Sequence, residues 1–169
     1  MASSVPTLLV VSWSVGAKPS DVLFGAGYRF QLGRAVTVHD GCDVTLISTG
    51  VQTTRTYQAA EILAGRGIGA AVLHVPTIKP LDEAAVVAAA QASGLVITVE
   101  EQSVLGGLGG AVAEVLSDRF PVPVKRLGIR DRYGESGPNE QLLDKYRLSA
   151  ARVAEDVEDL LRVQGRQKG

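Results

Sequence analysis

LVITVEEQSVLGGLGGAVAEVL, residues 95–116, is the stretch from which the fold can be read. Leu95-Val96-Ile97-Thr98-Val99 is a nearly unbroken β-branched run, the pattern of a strand covered on both faces. Glu100 and Glu101 follow, then Gly106, Gly107, Gly109 and Gly110. Ala111, Val112, Val115 and Leu116 then recur at helical spacing, so a helix begins inside the glycine run. Strand, glycine loop and helix form the core of a βαβ unit. Such a loop gathers backbone N–H groups and the positive end of a helix at the carboxyl edge of a sheet, where anions bind.

The spelling argues against a nucleotide site. From Gly107 the frame is Gly-Leu-Gly-Gly-Ala-Val, with Val112 where a dinucleotide fingerprint has glycine or alanine, and no Gly-Lys-Ser/Thr follows. A structural use is favoured, in which small residues permit a tight turn and close helix–sheet approach. An anion or regulatory loop at Gly106, Gly107, Gly109 and Gly110 is the functional alternative.

Outward from this unit the chain alternates strand and helix. Val36–Val38 is a short extended piece ended by the turn signal His39-Asp40-Gly41, and Asp43–Thr49 is a strand. A helix is expected from about Thr53 to Arg66, with Tyr57, Ala60, Leu63 and Ala64 on its buried face. Gly65 and Gly67 stand where a left-handed C-cap belongs. Ala70–Val75 is the next strand, and Asp82 and Glu83 open a helix reaching about Ala92. After the glycine helix, Pro121–Ile129 reads as a strand whose two prolines favour a sheet edge. Pro138 suits the first turn of a helix through Tyr146, and Ser149 caps a last helix with Val153, Val157, Leu160 and Leu161 as its stripe. Strand–helix alternation at this spacing gives an α/β class, three αβα layers with a mostly parallel sheet. The domain is expected over residues 31–163. Residues 1–30, with the apolar run Thr7–Trp13 and a glycine-rich connector, are an arm or the end of a preceding domain, and 164–169 is a frayed tail.

At 169 residues the chain fits one domain, and 46% hydrophobic with 21% charged residues is ordinary for a globular protein. A formal net charge of −1 provides no basic field for nucleic acid. Cys42 is the only cysteine, which excludes an internal disulfide and a multi-cysteine metal site. His39 and His74 lack ligand-like spacing and are expected to be structural. No segment reaches the length of an apolar membrane span and no secretory pattern opens the chain, so a cytoplasmic location without membrane attachment is expected.

Candidates for chemistry are few. Glu100 and Glu101 are neighbours on or just beyond a strand, so they point to opposite faces and cannot form a facing acid–base pair. Ser103 has no histidine close in sequence, and Gly134-Glu135-Ser136-Gly137 is one position short of a nucleophile elbow. Residue by residue, this is the frame of a ligand-binding α/β domain with no catalytic set and no metal site.

Taken together, several segments resemble the C-terminal domain of the transketolase family of thiamine diphosphate enzymes. They are Tyr28–Ala35 (YRFQLGRA), Gly41–Gly50 (GCDVTLISTG), His74–Asp82 (HVPTIKPLD), Val99–Gln102 with Gly106–Gly109, and Tyr133–Gly137 (YGESG). The pieces Thr77–Asp82 and Gly134–Gly137 look most like split transketolases, whose halves are separate chains; 2-oxoacid dehydrogenase β subunits and deoxyxylulose phosphate synthases share the domain. The resemblance implies that thiamine diphosphate and Mg²⁺ belong to the whole enzyme and are held by other domains or a partner subunit. It also implies an αβα fold with a mostly parallel five-stranded sheet and one antiparallel strand, a homodimer, ketol-group transfer between sugar phosphates in the whole enzyme, and no activity in this domain alone. Glu100, Glu101, Gln102 and Ser136 would then lie at the site edge or an interface. Gln102 departs from the histidine that many members show, and Val10-Val11-Ser12-Trp13 lacks the arginine usual at the end of the preceding domain. A free-standing anion-binding module is the alternative.

Overall fold

The computed structural model describes residues 23–24, 27–131 and 135–165. The strand expected at Thr7–Trp13, most of the arm assigned to 1–30 and the end of the tail lie outside the described residues.

Five strands form one sheet in the order β1-β3-β2-β4-β5. They are β1 (Val36–His39), β2 (Val44–Ser48), β3 (Ala70–His74), β4 (Val96–Ser103) and β5 (Val124–Ile129). β1 runs antiparallel to β3, and the β3–β2, β2–β4 and β4–β5 pairs are parallel. The expected class therefore holds, and the single antiparallel strand is the short piece before His39-Asp40-Gly41. Pro121 and Pro123 precede β5, which is an edge strand. Because β2 is followed by β3 on one side and β4 lies on the other, the chain reverses direction between β2 and β4. In an open α/β sheet that reversal leaves a crevice at the carboxyl ends of the strands.

Helices α1 (Gln52–Ala64) and α5 (Ala150–Val163) cover one face, and α2 (Glu83–Ser93) and α3 (Leu108–Arg119) cover the other. A short α4 (Asn139–Lys145) leads into α5. The alternation of β2 shows why both faces are apolar. Val44 and Leu46 pack under Ala59, Leu63, Val153, Val157 and Leu161, while Ile47 joins Val86, Ala90, Val112 and Leu116 on the reverse. Each large aliphatic side chain so buried contributes about 1.5–3 kcal/mol.

Two local readings need correction. The buried face of α1 is Gln52, Thr53, Thr56, Ala59, Ala60 and Leu63; Ala64 is exposed and Tyr57 only half-buried. Half of that face is polar, so apolar periodicity misplaces it. Its polar groups are satisfied by backbone carbonyls: Gln52 Nε2 donates to the Leu148 carbonyl at 2.8 Å and Thr56 Oγ1 to the Gln52 carbonyl at 2.9 Å. After α1, only Gly67 takes the left-handed conformation (φ 78°), while Gly65 stays helical at φ −62°.

Asp82 caps α2 as expected: one carboxylate oxygen accepts from Ala85 N at 3.2 Å and the other from Ala35 N at 3.0 Å, pinning the segment before β1. α4 ends with Arg147 in the left-handed region (φ 59°), where glycine is usual. The turn is closed by Leu148 N donating to the Leu143 carbonyl at 2.7 Å, and the Arg147 guanidinium is held by Asp156 at 2.8 Å. Ser149 is the N-cap of α5, yet its hydroxyl bonds Asp144 rather than the helix amides. Among the described residues, no helix is long and apolar enough to cross a membrane.

Candidate functional site at the carboxyl edge of the sheet

The strand carrying Glu100 and Glu101 continues to Ser103, so both carboxylates stand within β4 and alternate across it. Glu100 turns toward α3 and is 1% exposed. Its Oε2 accepts the Leu108 amide at 2.9 Å and its Oε1 the Gly109 amide at 2.8 Å. Glu101 turns the other way and pairs with Arg55 of α1 at 3.1 Å. The two carboxylates thus serve opposite helices, as strand geometry requires.

This arrangement accounts for the glycine run. The first free amides of α3 form an anion site, and the anion seated there is the chain's own Glu100. A Cβ on Gly107 would run into that carboxylate and lie 3.0 Å from the Ser103 carbonyl oxygen. At Gly109 it would meet the Thr98 hydroxyl at 2.8 Å and the Arg126 side chain at 2.9 Å. Gly106 supplies the left-handed turn (φ 73°), and a Cβ on Gly110 would enter open space. Gly107 and Gly109 therefore make room for the carboxylate and for the close seat of the helix. Burial pushes the Glu100 acid upward, opposed by the hydrogen bonds from Gly109 and Leu108 and by the charge of Arg126.

On the α1 side of the same edge lies a cluster that sequence reading did not assemble. His74 Nδ1 hydrogen-bonds Thr53 Oγ1 at 2.8 Å, and Ser48 Oγ donates to the same hydroxyl at 3.2 Å. All three side chains are buried, and burial lowers the His74 pKa. The Phe24 ring lies 5.2 Å from the imidazole. These residues come from the ends of β2 and β3 and the start of α1, separations that no local motif marks. His39 is also structural, bonded to the Ala70 carbonyl at 2.8 Å and to Glu61 at 3.0 Å.

The remaining candidates are scattered. Gln102 and Ser136 are exposed, on β4 and on the loop before α4. The Ser103 hydroxyl accepts the Leu105 amide at 3.1 Å, and Cys42 is exposed at the β1–β2 turn. Among the described residues, no three histidine, cysteine or carboxylate side chains converge on a metal position. The carboxyl edge thus holds two carboxylates and an imidazole, each with a partner within the domain.

Residues 33–153 match the family Transketolase, C-terminal domain. The 6-deoxy-6-sulfo-D-fructose transketolase subunit of Clostridium sp. (strain MSTE9) is 47% identical over 125 residues, covering 74% of this chain and 39% of that protein. An apulose-4-phosphate transketolase subunit of Phocaeicola vulgatus is 42% identical over 128 residues, covering 76% and 41%. A split-gene transketolase solved as an inactive beta4 tetramer superposes with a TM-score of 0.78 at 40% identity, over 85% of this chain and 46% of that one. The chain accordingly spans about two fifths of the curated relatives, 39% and 41% of their lengths. A match over most of the chain, with the same sheet, makes this protein a member of the transketolase family that carries the family's C-terminal domain.

Proposed function

We propose that this chain serves as the C-terminal part of a cytoplasmic, thiamine diphosphate-dependent transketolase, in which it organises subunit assembly and frames the edge of a site built by other domains. The whole enzyme transfers ketol groups between sugar phosphates, and this chain alone is inactive. The observation that supports the reading is that Glu100, Glu101 and His74 each bond a partner inside the domain. The relatives support it: they are transketolase subunits, and one assembled as an inactive tetramer of a single subunit type.

The glycine loop does not fit the cofactor's diphosphate, because Glu100 already fills it. A diphosphate with its Mg²⁺ needs converging carboxylate oxygens and free amides. No such cluster exists among the described residues, and the α3 amides are taken by Glu100. The cofactor is accordingly assigned to partner domains, with the exposed Gln102 and Ser136 on the surface facing them.

Calorimetry of the purified chain with thiamine diphosphate and Mg²⁺ tests the assignment; no saturable heat is expected, and micromolar binding would end it. Self-association, in a homodimer, is assigned to the apolar run Leu8–Trp13 of the sequence, since apolar, β-prone sequence invites pairing wherever it is left uncovered. Light scattering with and without residues 1–26 reads this, and equal monomeric mass in both would remove the arm from assembly.

A further inference from the structure

The open edge of β5 meets α4 and α5 at a cavity of about 290 Å³ walled by Lys125, Arg130, Lys145 and Arg147, with Tyr146 and Asp156 completing it. It belongs to the α1/α5 face, where Leu127 joins the core, and so is separate from the glycine loop under α3. Two of its cations are neutralised: Arg147 by Asp156 and Glu155 at 2.8 and 3.3 Å, and Lys145 by Glu135 at 2.6 Å. Lys125 and Arg130 are exposed, and neither has an ion-pair partner among the described residues. The Tyr146 hydroxyl is buried with no hydrogen-bond partner. The Tyr146 ring packs against the α1/α5 core and backs the cavity wall.

We propose that this cavity binds the phosphate group of a phosphorylated small molecule. Two cations with no ion-pair partner among the described residues match the double charge of a phosphate monoester. The volume, about 290 Å³ and just below the roughly 300–1,000 Å³ of small-molecule sites, suits a phosphate ester and is too small for a dinucleotide. Arg147, in a left-handed turn and bonded to Asp156, stands on the cavity wall facing the β5 residues Lys125 and Leu127. The proposal stands apart from the reading above and holds whether or not the chain works in a ketol transferase.

Calorimetry of the full chain at low ionic strength, with inorganic phosphate and with ribose 5-phosphate as probes, tests it. One ion per chain is expected, with affinity falling as salt is added, and ribose should give no heat. Lys125→Glu with Arg130→Glu should weaken binding at least about tenfold. Both residues are exposed, so an unchanged melting temperature checks that the variant is folded. The charge-matched pair Arg34→Glu with Lys79→Glu should bind within about twofold of the parent, since nonspecific attraction alone would respond equally to both pairs. Equal affinity for the two probes assigns the cavity to the phosphate group by itself; tighter binding of the ester assigns it to a phosphorylated sugar. The proposal fails if neither probe gives saturable heat, if binding survives the Lys125/Arg130 pair, or if both pairs weaken it alike.

Discussion

Gly107 and Gly110 are three residues apart in the same run and should respond to the same substitution with opposite signs. The backbone at Gly107 (φ −99°, ψ −153°) is extended and open to any residue, so conformation does not demand glycine there. Space does: the Cβ of Gly107→Ala collides with the Glu100 carboxylate and stands 3.0 Å from the Ser103 carbonyl oxygen. Relief requires Glu100 to withdraw from the Leu108 and Gly109 amides or the start of α3 to lift. Hydrogen bonds to a charged group contribute about 1.5–3 kcal/mol each, so losing one or most of both costs about 2–4 kcal/mol. At about 2–4 °C per kcal/mol for a domain of this size, the melting temperature should fall by roughly 4–16 °C. Gly110→Ala projects into open space on α3 and should instead gain about 0.4–1 kcal/mol by restricting the unfolded chain. A cycle closes the argument: in a Glu100→Ala background the carboxylate is gone, and the Gly107→Ala penalty should shrink by more than about half. Thermal and urea unfolding of the parent, the two single variants and the double variant measure this. A melting temperature for Gly107→Ala within about 1 °C of the parent would refute the reasoning. So would a penalty unchanged by Glu100→Ala.

The same edge holds two titrating groups of opposite sign. The folded state holds a proton on Glu100 more tightly than the unfolded chain, so this residue's contribution rises as pH falls through its raised value and is complete below 4.5. Measured against Glu100→Gln by urea unfolding, the parent should gain relative stability from pH 7.5 to pH 5, and a relative loss would refute it. For His74 the unfolded chain takes the proton first, so its contribution is present above 6.5 and is lost as pH falls from there toward its lowered value. Against His74→Gln the parent should therefore lose relative stability on acidification below 6.5, and a flat difference would place the imidazole in contact with solvent. Gln52→Leu deletes the donor that reaches the Leu148 carbonyl from within the core; about 1–3 kcal/mol of destabilisation is expected from the orphaned carbonyl, measured by the same unfolding.

The sheet was legible because strands covered on both faces cannot be spelled in many ways. Val96–Val99 and Val44–Ile47 are apolar or β-branched at nearly every position, and the glycine run fixes where the next helix starts. The alternation of Glu100 and Glu101 was legible for the same reason, since a strand leaves neighbouring side chains no choice of side. The face of α1 was not, because Gln52, Thr53 and Thr56 are buried through bonds to groups distant in sequence or inside their own turn. Periodicity counts apolar residues and cannot see a polar atom whose partner arrives from Leu148 or His74.

The glycine loop shows how one pattern can carry two physical meanings. A helix N-terminus rich in glycine exposes amides that attract an anion, and this holds here as much as in a phosphate site. What differs is the source of the charge. Glu100 lies eight residues before Leu108 in sequence, yet the turn through Gly106 folds it back onto the Leu108 and Gly109 amides. A carboxylate supplied by the chain needs room for its own side chain, and that room is the missing Cβ of Gly107. The glycines that would admit a ligand's phosphate therefore admit the protein's own acid, and the strand, loop and helix are tied together at the one point where an incoming anion would otherwise have to hold them.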